Sequence, residues 1–189
     1  MRPAARHLFR RTLSPFVLAC VLLGTAAIAQ PGEQTATGVA SAEIVSPLTI
    51  ASIADLEFGG IAISGAGEGS LTIDPASGAP SYVGLVQIGC SSGPCTPHPA
   101  QFRVNGVERR SYRVTLPDQT DAIAADGSGN SLQVHSLTSD SRNLPGVQGY
   151  GMLDDSGADE LNVGGTLSVP ASTPPGRYVA RVLVVVNYD

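Results

Sequence analysis

The sequence predicts an all-β chain, an immunoglobulin-like antiparallel β-sandwich. Three observations carry that reading. Apolar residues come in short runs of period two, no segment shows a sustained helical period, and 22 glycines and 14 prolines punctuate the runs. Alternation over a few residues marks a strand with one buried face, and glycine- or proline-rich stretches mark the turns between strands.

Taken in order, "AEIVSPLTI" (42–50) reads as the first strand, with Pro47 confining it to an edge or a bend because proline donates no ladder bond. "DLEFGG" (55–60) is a strand end with a glycine turn, and "GSLTID" (69–74) sets Leu71 and Ile73 on one face. "SYVGLVQIG" (81–89) is apolar on both faces, as a strand inside a sandwich core is. "AQFRVNG" (100–106) and "RSYRVTLP" (110–117) flank a turn at Asn105-Gly106, and "SLQVHSL" (131–137) places Leu132 and Val134 together. Residues 138–160 are the longest stretch without a clear strand and read as a surface loop. "LNVGGTLSVP" (161–170) carries Gly164-Gly165, a pair suited to a bulge or tight bend. The chain closes on "GRYVARVLVVVNYD" (176–189), the most strand-like segment of all, with Tyr178, Ala180, Val182, Val184, Val186 and Tyr188 on one side. About eight or nine strands is the number expected of an immunoglobulin-like sandwich.

The start of the chain is a different kind of segment. Arg2, Arg6, Arg10 and Arg11 precede the apolar run Phe16–Leu23, and Ala27-Ile28-Ala29 forms a small-x-small site. That order is a secretory signal peptide, residues 1–29. The run is too short for a membrane span, which needs about 20 residues. "VLAC" ending at Cys20 resembles a lipoprotein box, but the apolar run continues past it through Leu23. The mature chain is expected to begin at Gln30, to have no membrane span, and to be exported to the periplasm, the cell surface or the medium. Residues 30–42 form a small, polar N-terminal extension, and residues 43–189 the β-sandwich domain.

Composition excludes several functions. The mature chain keeps seven arginines against sixteen acidic residues, a net charge of −9, and contains no lysine. Such a surface has no electrostatic attraction to nucleic acid or to an anionic membrane. Cys90 and Cys95 are the two cysteines left after cleavage, and "CSSGPC" turns between them at Gly93-Pro94, so a disulfide is expected. In the chain-entropy model so short a loop stabilises by about 2 kcal/mol. A zinc site would need two more ligands, and His98 and His135 are the only histidines left, so no metal and no cofactor is expected. "DDSGADE" (154–160) clusters carboxylates without the spacing of a calcium loop and reads as a solvated turn. No serine sits in a nucleophile elbow, and "GAGEG" (65–69) leads into a strand rather than a helix. Arg103, Arg109, Arg110 and Arg113 form the one basic cluster and read as solvated side chains on a hairpin. The chain is therefore not expected to be an enzyme, and no catalytic residue is assigned.

Several segments together carry a resemblance. "SPLTIASIADLEFGGI", "GSLTIDPASG" and "VGGTLSVPASTPPGRYVARVLVVVNYD" resemble a family of exported Gram-negative bacterial domains labelled only as a domain of unknown function. That family is similar in layout to spore-coat-U-like and other chaperone–usher pilus subunits. The resemblance implies a pilin-like structural subunit. Such pilins often end on a strand with a glycine fourteenth from the end and a penultimate tyrosine, places filled here by Gly176 and Tyr188. It further implies that Gly176, Tyr178, Val182, Val184, Val186 and Tyr188 border the place of a missing strand. A periplasmic chaperone would fill that place first, and a neighbouring subunit later. The alternative is a complete secreted sandwich acting as a surface or ligand-binding protein. Within residues 30–42, Val39 is the one bulky apolar residue, a weak pattern for a donated strand.

Intact mass of the exported protein, alkylated without reduction, checks the start and the cysteines together. The expected species begins at Gln30, carries no lipid and has no alkylated thiol. A lipidated Cys20 or two alkylated cysteines would overturn the respective reading.

Overall fold

The computed structural model of this chain describes residues 36–89 and 96–189. The signal segment, the first part of the extension, and Cys90 and Cys95 lie outside the described residues. The chain forms two units, Met1–Ala42 and Glu43–Asp189. In the first, residues 36–42 are exposed and carry no strand.

The second unit is all-β, with no helix among the described residues. In chain order its strands are β1 (Thr49–Ala54), β2 (Ile61–Ile63), β3 (Gly69–Ile73), β4 (Pro80–Gly84), β5 (Val86–Ile88), β6 (Ala100–Asn105) and β7 (Ser111–Thr115). They continue as β8 (Gln119–Ala124), β9 (Ser131–Ser141), β10 (Tyr150–Met152), β11 (Ala158–Val169), β12 (Tyr178–Val179) and β13 (Val185–Tyr188). Every pairing is antiparallel. An eight-stranded sheet runs β1-β6-β11-β9-β8-β12, with β3 and β4 attached through β11. A three-stranded sheet runs β10-β7-β13, and β2 pairs β5.

The long strand β11 organises the large sheet. Along one edge it pairs with β6 over Ala158–Val163 and then with β3 over Gly165–Val169. Along the other it pairs with β9. The ladder with β9 slips between Gly164 and Thr166, where Ser136 and Leu137 stand opposite Gly165 alone. This is a β-bulge, and Ser136 takes the left-handed φ of 50° that the extra residue requires. A side chain on Gly164 would collide with the Ile73 carbonyl, and one on Gly165 would lie 2.8 Å from Leu137 Cδ2.

Apolar side chains gather in two clusters. The first joins Leu71 of β3, Val86 of β5, Val134 of β9 and Leu167 of β11. The second joins Val104 of β6 and Leu161 of β11, in the large sheet, to Tyr112 and Val114 of β7, in the small one, with Leu153 between. The second cluster is thus sandwiched between the two sheets.

The 138–160 stretch, expected as a surface loop, is built differently. β9 runs on through Ser141, β10 occupies Tyr150–Met152, and β11 starts at Ala158. The cause is a buried polar network. Asp159 is 4% exposed and Tyr112 and Ser141 are fully buried. Tyr112 Oη donates to Asp159 Oδ2 (2.7 Å), Ser141 Oγ donates to the same oxygen (2.5 Å), and the Asn143 backbone N–H donates to Oδ1 (3.2 Å). Asn143 Nδ2 donates to the Met152 and Ala158 carbonyls at 3.0 and 2.9 Å, fastening β10 to β11. Gly151 lies under the Tyr112 ring, where a Cβ would collide with it. Of the "DDSGADE" carboxylates, Asp154 shapes a turn by accepting from the Ser156 and Ala158 amides, and hydrogen bonds hold its pKa below the usual carboxylate range. Asp159 is the one that belongs to the core.

Burial first, and then the hydrogen bond and charge of Asp159, hold the Tyr112 phenol well above its usual pKa of 10.0. A raised pKa means that the neutral phenol is favoured by folding. Its stabilisation is complete below about pH 10 and is lost as pH rises beyond that. Tyr112 should therefore be silent in a spectrophotometric titration of the native protein, and Tyr112→Phe should flatten the alkaline loss of stability. Asp159→Ala leaves the donors of Tyr112, Ser141 and Asn143 without an acceptor and should cost about 3 kcal/mol in urea unfolding.

Candidate functional site

The C-terminal segment lies along the border between the two sheets. β12 pairs with β8, setting Tyr178 opposite Ala124 and Val179 opposite Ile123. β13 pairs with β7, from Val185 opposite Thr115 to Tyr188 opposite Tyr112. From Val179 to Val185 the segment advances six residues while its partner steps back eight, from Ile123 to Thr115. The two extra partner residues belong to the connection around Pro117, where β7 of the small sheet passes into β8 of the large one. The segment 178–188, expected as one continuous strand, is therefore two short ones. Residues 180–184 between them carry no ladder pairing, and Thr120 Oγ1 donates to the Arg181 carbonyl at 3.3 Å.

The side-chain alternation nevertheless persists through the unladdered part. Tyr178, Ala180, Val182, Val184, Val186 and Tyr188 are each half-buried, and the residues between them are exposed. Tyr178 and Ala180 pack against the first apolar cluster, and Val184, Val186 and Tyr188 against the second. None of the six reaches full burial. The outward side carries apolar residues too, with Leu183 71% and Val179 51% exposed.

Both short strands use the same edge, toward β7 and β8, and in the sheet orders β12 and β13 are each terminal. Edge strands normally carry a feature that prevents further pairing. β1 has Pro47 just before it and a bulge between Ser52 and Ala54, β4 begins at Pro80, and β10 is three residues long. The segment 178–188 has no proline, lysine or bulge, and its one charged residue is Arg181.

Gly176 stands in the turn before β12, and its φ is not positive. A Cβ there would meet only Tyr178 Cε2, at 3.9 Å. Geometry alone therefore does not demand glycine at this position. The turn is closed by Thr173 Oγ1 and Tyr178 Oη, which donate to the Pro170 and Pro174 carbonyls at 2.7 and 2.8 Å. At the other end Tyr188 Oη accepts from the Val107 amide (2.8 Å) and donates to the Ser46 carbonyl (3.0 Å). The basic cluster is spent locally. Arg103 pairs with Glu160 (3.4 Å), Arg109 with Asp155 (2.6 Å) and Arg113 with Asp189 (3.4 Å), all exposed, while Arg110 lies over the Tyr188 ring. Exposed pairs of this kind contribute little to stability.

The chain belongs to a family described as a domain of unknown function, DUF4402, whose model matches residues 48–188. The match runs from just before β1 through Tyr188 and so takes in the whole C-terminal segment. Among curated proteins no match is found.

Charging the two sides of the segment should separate them. Val184→Asp places a carboxylate against the second cluster and should cost at least about 2 kcal/mol, lowering the yield of folded protein sharply. Leu183→Asp, on the exposed outward side, should change the urea midpoint little. Equal losses for both would show that the alternation is not what holds the segment.

Proposed function

We propose that this chain is an exported, non-enzymatic structural subunit, pilin-like, whose immunoglobulin-like sandwich is completed by a β-strand from another polypeptide. The observation that carries this reading is the edge of residues 178–188, without proline, lysine or bulge, beside a stripe of half-covered apolar side chains. Adding a strand to such an edge supplies main-chain hydrogen bonds and covers alternate side chains, which is the physics of β-augmentation. Full burial of one valine is worth about 1.5–3 kcal/mol, so covering the exposed parts of Val182, Val184 and Val186 adds a few kcal/mol to the backbone ladder. The partners on this reading are a periplasmic chaperone, which shields the edge after export, and then neighbouring subunits, which replace it. The expected Cys90–Cys95 disulfide suits the same oxidising compartment.

A second reading has its own support. β13 already holds a four-residue ladder on β7, Tyr188 is tied at both sides of its hydroxyl, and residues 36–42 offer only Val39 as a bulky apolar side chain. A domain finished in this way would be a secreted surface or ligand-binding protein.

Export of residues 43–189 alone distinguishes the two. On the subunit reading the fragment is aggregated or degraded, and a strand supplied in trans rescues it. A soluble monomer that unfolds cooperatively without any added strand would sink the subunit reading and favour the second.

A further inference from the structure

Tyr188 joins three segments far apart in sequence. Its hydroxyl accepts from the Val107 amide in the β6–β7 turn and donates to the Ser46 carbonyl upstream of β1. Gly106 makes room for it, since any side chain there would collide with the hydroxyl and would lie 3.0 Å from Leu48 Cδ1. The Arg110 guanidinium stands 5.3 Å from the ring centroid. Among the described residues, the bond to Ser46 is the one hydrogen bond made by residues 43–48. Just beyond it Ile44 is 99% exposed and Val45 43%. The last point at which the upstream chain is fastened to the domain is thus the side chain of the last inward residue of β13.

We propose that Tyr188 is a latch coupling the C-terminal strand to the segment that leads into β1. While β13 is laddered on β7, the hydroxyl lies where it holds Ser46. When β13 shifts, the hydroxyl leaves and residues 43–48 are freed. Coupling of this kind is reciprocal: whatever fixes or displaces Ser46 changes the stability of the end of β13 by the same amount. Its role in assembly rests on the strand-acceptor reading. On that reading, a strand pairing along residues 178–188 is felt at the root of the N-terminal extension, so the accepting edge and the upstream chain of one subunit are not independent.

The test is amide hydrogen exchange on the full mature protein and its Tyr188→Phe variant. Phenylalanine keeps the ring, its packing and the Arg110 contact, and drops only the hydroxyl. A single hydrogen bond of ordinary strength corresponds to about a fivefold change in a local opening equilibrium. Exchange at Val107 and at the first laddered amides of β1, residues 49–51, should rise by about that factor. Protection in the β9–β11 and β7–β10 ladders should stay as in the parent protein. Unchanged exchange at residues 49–51 would overturn the latch, and so would a rise spread evenly over all strands, which would make Tyr188 a contributor to global stability only. Because the measurement uses the isolated chain, it can fail while the strand-acceptor reading stands, and succeed if that reading falls.

Discussion

Everything in this domain is hung on one close approach, the passage of β11 beneath the turn that follows β3. A single twelve-residue strand carries β6 and β3 on one edge and β9 on the other, and it reaches both apolar clusters. That is possible because Gly164 presents no side chain to the Ile73 carbonyl and Gly165 none to Leu137. The bulge opposite Gly165 turns β9 so that its first half meets β8 while its second half leads into the polar network around Asp159. Without two adjacent glycines β11 would be two separate strands, and the clusters would lose their shared backbone.

The two clusters are closed by different means. Around Leu71 and Leu167 the closure is apolar and comes from many short strands. Around Tyr112 it depends on a buried carboxylate with three donors, an arrangement strongly favourable when complete and costly when any donor is orphaned. The C-terminal segment touches both, through Tyr178 at one end and Tyr188 at the other. Between these tyrosines the main chain changes sheets, and there the ladder lapses.

Which parts of this were legible in the sequence follows from what alternation can and cannot reveal. The inward set from Tyr178 to Tyr188 was legible because it is apolar throughout and strictly of period two. The Gly164-Gly165 bulge was legible because glycine pairs inside strands have few other uses. The stretch 138–160 was not, since apart from Leu153 its buried side chains are Ser139, Ser141 and Asp159, which look like loop residues until the network that satisfies them is seen. β8 is not legible for a related reason: its inward residues, Ala122 and Ala124, are small, and Asp121 interrupts the run. The break at 180–184 arises from a register difference between two partners, which no single segment records. Pro47 was legible as the mark of an edge or a bend, and it does border the edge strand β1, whereas only the fold shows that Pro117 marks the crossing between sheets. The roles of Tyr188 and Gly106 could not be read at all, because they are set by Ser46 and Val107, distant in sequence.

The guarding of edges narrows what the C-terminal segment is for. Proline, a bulge or extreme shortness at β1, β4 and β10 each removes the ability to extend the sheet, and each has a cost in ladder bonds. The segment 178–188 is laddered over only two residues in β12 and four in β13, but it has valine on both faces and no proline, lysine or bulge. If it served only the interior, a lysine or proline on its outward side would lower the aggregation hazard without disturbing Val184 or Val186. The outward residues are instead Val179, Leu183 and Val185, with two polar ones, Arg181 and Asn187. Apolarity on the exposed face has no use in the isolated domain. It has one if another chain lies across the segment, because a strand added beside 178–188 brings its own body over that face. The inward stripe and the outward residues would then be covered by the same partner, and its binding energy would reach both apolar clusters through one strand.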